Sequence, residues 1–207
     1  MFSILPTNVK TVNNRFMMEP IKTVSAAAME AEWLEIQAAQ QNPARFQPLY
    51  ERYYASISRF VFRRTADADL AADLCSQVFL KAMQRLGSYQ FRGVPFSAWL
   101  FRIASNEVAQ HFRSAPALRT VSVEDASLGE MADEMELDEE DGLPISEMLA
   151  ALDQLRPDEV ALIELRFFEQ RPFKEIADIL DITESNAKVK TYRILERLKK
   201  MMQQKTK

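Results

Sequence analysis

Hydrophobic positions recur at three- and four-residue steps through most of the chain, which predicts amphipathic helices. Leu34, Ile36 and Ala38 belong to a first helix that ends near Asn42-Pro43, because the residue before a proline is pushed out of helical geometry. Phe46, Leu49, Tyr50, Tyr53, Ile57, Phe60 and Val61 make a second series. Leu70, Leu74, Val78, Phe79, Ala82, Met83 and Leu86 make a third, stopped by Gly87-Ser88. After a loop from Tyr89 to Pro95, another helix carries Phe96, Trp99, Leu100, Ile103, Ala104 and Val108. The pattern then breaks at Ser114-Ala115-Pro116 and resumes at Ile145 with Met148, Leu149, Leu152 and Leu155 on one face. Pro157 suits a first helical position, and Asp158 and Glu159 follow where the helix dipole favours acids.

The expected fold is therefore all-α, with two small helical domains joined by an acidic flexible linker and a helix-turn-helix in the second. Residues 1–28 show little periodicity and are read as a flexible lead, with Met17, Met18 and Met29 as alternative starts. Residues 29–113 form the first domain, 114–144 the linker and 145–207 the second domain. The linker is dense in like charge, from Glu124 and Asp125 through Glu139, Glu140 and Asp141, with little apolar periodicity. It reads as a solvated tether, or as an acidic strand that enters a basic channel on a partner.

The end of the chain carries the most specific local signal. A short helix after Arg171-Pro172 has Phe173, Ile176, Ala177 and Leu180 inward; small Ala177 leaves room for a close helix crossing. Asp181-Ile182 makes a tight turn, and Thr183 has the side chain to cap a helix running from Glu184 to about Met201. Ser185, Asn186, Lys188, Lys190, Arg193 and Arg197 lie outward on that helix. Polar groups near its N-terminus can reach base edges in the major groove, while lysines and arginines neutralise phosphates. A solvated basic face is the plainer reading of the same charges, and a helix-turn-helix alone fits many repressors.

Composition narrows the chemistry. The 207 residues are 47% hydrophobic and 27% charged, with formal net charge −4, so any affinity for DNA must come from segregated charge. Four glycines argue against a phosphate-cradling glycine loop. One cysteine, Cys75, and one histidine, His111, exclude an intramolecular disulfide and leave no cysteine-rich metal site, so no metal or cofactor is expected. Cys75 fits the apolar face of its helix. Scattered carboxylates with a single histidine give no catalytic constellation, so no enzyme is expected. No apolar run approaches the roughly 18–20 residues that cross a bilayer, and no secretory signal opens the chain, so a cytoplasmic location without membrane insertion is expected.

Three separated motifs add to this: Asp73-Leu74-Cys75-Ser76-Gln77-Val78-Phe79-Leu80-Lys81-Ala82, Phe96-Ser97-Ala98-Trp99-Leu100-Phe101-Arg102-Ile103-Ala104-Ser105-Asn106, and Thr183-Glu184-Ser185-Asn186-Ala187-Lys188-Val189-Lys190. Together, in this order, they resemble bacterial RNA polymerase sigma factors of the extracytoplasmic-function branch. The first two are similar to region two and the third to the region-four recognition helix, over about Met29 to Lys200. The resemblance implies a subunit that binds core RNA polymerase, recognises promoter DNA and is commonly held inactive by an anti-sigma factor. It implies polymerase contacts at Asp73 and Gln77. It also implies recognition and opening of the minus-ten element by Arg92, Phe96, Arg102, Asn106, His111 and Arg113, with Phe91 a further aromatic beside them. The helix-turn-helix would read the minus-thirty-five element.

On residues alone, Trp99 fits the core better than DNA, and Phe96 fits either. Three departures from the family pattern bear on function. Ser76-Gln77 replaces glutamine and an acid, Asp181 a turn glycine, and Lys190-Thr191 an arginine-leucine pair. Aspartate tolerates left-handed geometry, so the turn is expected to survive. The alternative function is a stand-alone helix-turn-helix regulator.

Overall fold

The computed structural model describes residues 24–65, 67–114, 125–135 and 145–205, and all regular structure among them is helical. Helix α1 (Ala26–Gln41) starts at Ser25, whose hydroxyl accepts from the Ala28 amide, and ends before Asn42-Pro43. A 3-10 turn leads into α2 (Gln47–Thr65), followed by α3 (Ala68–Arg85) and α4 (Phe96–Ser114). Asp67 caps α3 by accepting from the amides of Asp69 and Leu70, each at 3.0 Å. Helices α2, α3 and α4 pack around Ile57, Phe60, Val78, Ala82, Leu100 and Phe101, all sealed from solvent. The Phe60 and Phe101 rings meet edge to face at 5.1 Å. Cys75 lies in this core, as its apolar neighbours predict.

A buried carboxylate ties the first helix to the fourth. Glu32 accepts from the Phe96 amide at the start of α4 (3.2 Å), from Arg52 (3.2 Å) and from the Tyr53 hydroxyl. An acid at a helix N-terminus answers unpaired amides and the dipole together. Gln40 donates to the carbonyls of Leu86 and Tyr89 and pins the start of the loop before α4. Of the apolar positions on α1, Leu34 points out into solvent and Ile36 faces inward.

The second body contains α6 (Ile145–Leu152), α7 (Pro157–Ile163), a π-turn over Glu164–Phe168, α8 (Phe173–Leu180) and α9 (Glu184–Lys205). The stretch read as a tether differs in part from that reading. Residues 125–134 form helix α5, with Leu128, Met131, Ala132 and Met135 buried. Those residues sit at helical spacing, and their burial offsets the acidic composition. Gln170 donates to Glu130 (2.8 Å) and Lys199 to the Met135 carbonyl (2.7 Å), fastening α5 to the second body. The rest of the expected tether, and residues 1–23 of the expected lead, lie outside the described residues.

The two bodies meet along α4 and α8 and through three arginines of this seam. Arg63 pairs with Glu169 at 2.8 Å and Arg64 with Glu164, all four side chains buried. Arg171 donates to Ser97 (3.0 Å) and lies 4.6 Å from the Phe101 ring centroid. Burial pushes the Glu164 and Glu169 carboxyls above the ordinary range, against the pull of Arg64 and Arg63. A cavity of about 660 Å³ remains between the bodies, walled by Val108, Phe112, Val160 and Leu180.

Candidate nucleic-acid interface

The helix-turn-helix is built as its residues require. Asp181 ends α8 in left-handed geometry (φ 55°, ψ 48°), the conformation expected of an aspartate standing where the family has glycine. Thr183 Oγ1 accepts from the Asn186 amide at 3.2 Å and caps α9. On α9, Ala187, Thr191, Ile194, Leu195, Leu198 and Met202 face inward. Ser185, Asn186, Lys190 and Arg193 are exposed, and so is Lys188, which bridges Glu184 at 2.9 Å. Arg197 differs from its companions: it grips Glu159 at 2.6 Å and joins α9 to α7. Glu159 also accepts from the Arg156 amide, and the Arg197 contact leads in holding its carboxyl down to about 2.

Thr191 is 1% exposed and donates to the Ala187 carbonyl, so the family departure at that position falls on the core rather than on DNA. Conversely, Val189 and Tyr192 stand out from the recognition helix at 46% and 47% exposure. Their apolar type assigned them no outward role. Apolar atoms on such a face can meet thymine methyl groups.

At the other candidate site, Arg85, Tyr89, Arg92, Trp99 and Arg102 line a cleft of about 260 Å³. Three guanidinium groups beside two aromatic rings make a suitable cradle for an unstacked nucleic-acid strand. Arg85, Tyr89 and Trp99 were not singled out from sequence as promoter contacts; the cleft brings them together with Arg92 and Arg102. Phe96 is a correction: it is 1% exposed and packs at 5.2 Å against Tyr89 and 5.3 Å against Trp99, so it supports the cleft from beneath and offers no face for stacking. Phe91 is partly exposed and stacks on Trp33 at 6.3 Å. Asn106 is exposed on α4 and borders the larger cavity. His111 is half-buried against Phe112. The Arg113 side chain lies outside the described residues.

The cleft is closed on one side by the other body. Asp178 of α8 lies 3.0 Å from Arg102 and 3.5 Å from Arg92, and its carbonyl also accepts from Arg102. On α3, Asp73 and Gln77 are exposed, as are Leu80 (55%) and Met83.

Residues 49–116 match the sigma-70 region 2 family, and residues 145–198 match the sigma-70 region 4 family. The ECF RNA polymerase sigma factor BldN of Streptomyces coelicolor is 32% identical across 81% of this chain and 64% of its own length. The chain belongs to the extracytoplasmic-function branch of the RNA polymerase sigma factors. SigX of Bacillus subtilis, also an ECF sigma factor, is 29% identical over 76% of this sigma factor and 84% of its own chain. In fold, this sigma factor resembles the sigma factor RpoE of Bartonella quintana, solved with the anti-sigma factor NepR. The TM-score is 0.53 at 20% identity, over 76% of this chain and 96% of that one. The cleft lies in region two and the basic recognition helix in region four.

Among the described residues, no group of histidine, cysteine and carboxylate side chains could hold a metal ion, and no helix is long and apolar enough to cross a membrane.

Proposed function

We propose that this chain binds core RNA polymerase and directs it to promoters, acting in the cytoplasm without catalytic chemistry of its own. The observation that supports this reading is that one chain carries a cationic aromatic cleft in region two and an exposed, basic second helix of a helix-turn-helix in region four. Ser185, Asn186, Lys188, Lys190 and Arg193 read the upstream element; Arg92 and Arg102, with Arg85, Tyr89 and Trp99, hold the opened downstream strand. Asp73 and Gln77, flanked by exposed Leu80 and Met83, supply the polymerase contact, since an apolar stripe with polar groups is suited to docking a partner. Promoter DNA and core polymerase are the partners, and an anti-sigma factor is the restraining partner that family membership suggests.

The test is run-off transcription with purified core polymerase on a genomic promoter library. The full chain should start transcripts at a defined set of promoters, and Arg92→Ala with Arg102→Ala should abolish them while leaving polymerase binding intact. Sequence-specific duplex binding with no transcripts on any template would favour the stand-alone regulator.

A further inference from the structure

The family reading requires the two nucleic-acid surfaces to stand far apart on DNA, yet in this structure they are drawn together. The elements named minus-ten and minus-thirty-five are separated by roughly 25 base pairs, about 85 Å of B-form duplex. Asp178, which touches the region-two cleft, precedes Asn186 of the recognition helix by only eight residues. Even fully extended, that interval spans at most about 29 Å. The closed molecule therefore cannot engage both elements at once.

We propose that Asp178 is an internal stand-in for a DNA phosphate, holding the region-two cleft closed to single-stranded DNA until the two bodies separate. This rests on the proposed role of the cleft. Three features support it. The Asp178 carboxylate meets Arg92 and Arg102 together, the ionic contact that a strand phosphate would make there. It is itself one of the cleft's lining residues, so it occupies space as well as charge.

The third feature is that the seam is poorly satisfied. Buried atoms without a hydrogen-bond partner include Arg64 Nη2, Glu164 Oε1, Arg102 Nε, Ser105 Oγ and Arg171 Nε, all on residues at the contact between the bodies. Buried polar atoms left unpaired oppose docking. A closure held by ion pairs and taxed by such atoms is one that a competing partner can open. DNA and Asp178 then exclude each other at the cleft, and by linkage anything that separates the bodies raises the cleft's apparent affinity for the strand.

The experiment uses the free full chain and a fluorescein-labelled single-stranded 12-mer of mixed sequence, read by anisotropy. Asp178→Asn removes the charge with little change of shape. It should tighten binding about tenfold, the effect of two partly exposed ion pairs near the upper end of their usual worth. Asp178→Glu should bind like the unaltered chain, and adding Arg92→Ala with Arg102→Ala should erase the gain. In parallel, dyes at Glu51→Cys and Lys200→Cys should report greater separation in Asp178→Asn, and in the unaltered chain as salt rises to ~0.5 M. Unchanged strand affinity in folded Asp178→Asn would overturn the proposal, as would a gain that survives loss of the two arginines. If those arginines are also dispensable for transcription by the polymerase complex, the reading of the cleft itself fails. If they are essential there, only the role of Asp178 does.

Discussion

Regions two and four present the two proposed nucleic-acid surfaces in opposite ways. In region four the recognition helix turns Ser185, Asn186, Lys190 and Arg193 to solvent, and among the described residues no other element covers them. In region two, Arg102 is half-buried against Asp178, and Arg92 reaches the same carboxylate. The first surface follows from one helix and its periodicity. The second depends on where another body docks. The contrast separates a proposed duplex-reading face that is exposed in the free chain from a proposed strand-holding cleft whose arginines are answered by Asp178 of the other body.

The largest expected effect comes from breaking the seam. Arg64→Met would leave the Glu164 carboxyl buried without its cation, and breaking a buried pair costs about 3–5 kcal/mol. Undocking rehydrates the carboxyl, so the variant should show two calorimetric transitions, one for each region. A single transition at the original temperature would mean that the bodies are not docked in solution, and the contrast would vanish. A smaller effect belongs to the open surface. Asn186→Ala should narrow the preference among promoter variants by roughly 1–3 kcal/mol if it contacts two base atoms. Arg193→Ala should weaken all duplexes alike and lower the salt slope by about one. Base preference that falls with Arg193→Ala instead would reverse these roles, as competition binding across single-base variants would reveal.

How much of this was legible beforehand follows the same division. The inner and outer faces of α9, the cap at Thr183 and the left-handed turn at Asp181 are consequences of neighbouring residues, and the structure has them where the sequence places them. Phe96 was legible only to two choices, because periodicity puts it at the start of a helix without saying what covers it. Helix α5 had a readable signal in Leu128, Met131 and Met135, but the surrounding acids outweighed it. Asp178 and the Arg63, Arg64, Glu164 and Glu169 set gave no sequence signal as pairs. The two buried ion pairs join residues 106 and 100 positions apart, and each residue alone looks like an ordinary charge on a helix. The polar seam is a property of the docked pair, so reading either domain by itself misses it.

The smallest expected effect tests whether Arg197 belongs with the recognition surface or with the scaffold. Its contact with Glu159 leads in depressing that carboxyl from 4.5 to about 2, so the stabilisation is present above about pH 4.5 and is lost as the pH falls toward 2. Arg197 is nearly half exposed, which limits the contact to about 1 kcal/mol or less. Glu159→Gln should therefore lower stability slightly at neutral pH and flatten its loss between pH 4.5 and 2, measured by urea denaturation at each pH. The same substitution releases the Arg197 guanidinium. If it then reaches a phosphate, the salt slope for upstream duplex binding should steepen by about 0.9, the increment for one further neutralised charge. An unchanged slope would place Arg197 with the scaffold, leaving Lys188, Lys190 and Arg193 as the cations that meet the duplex.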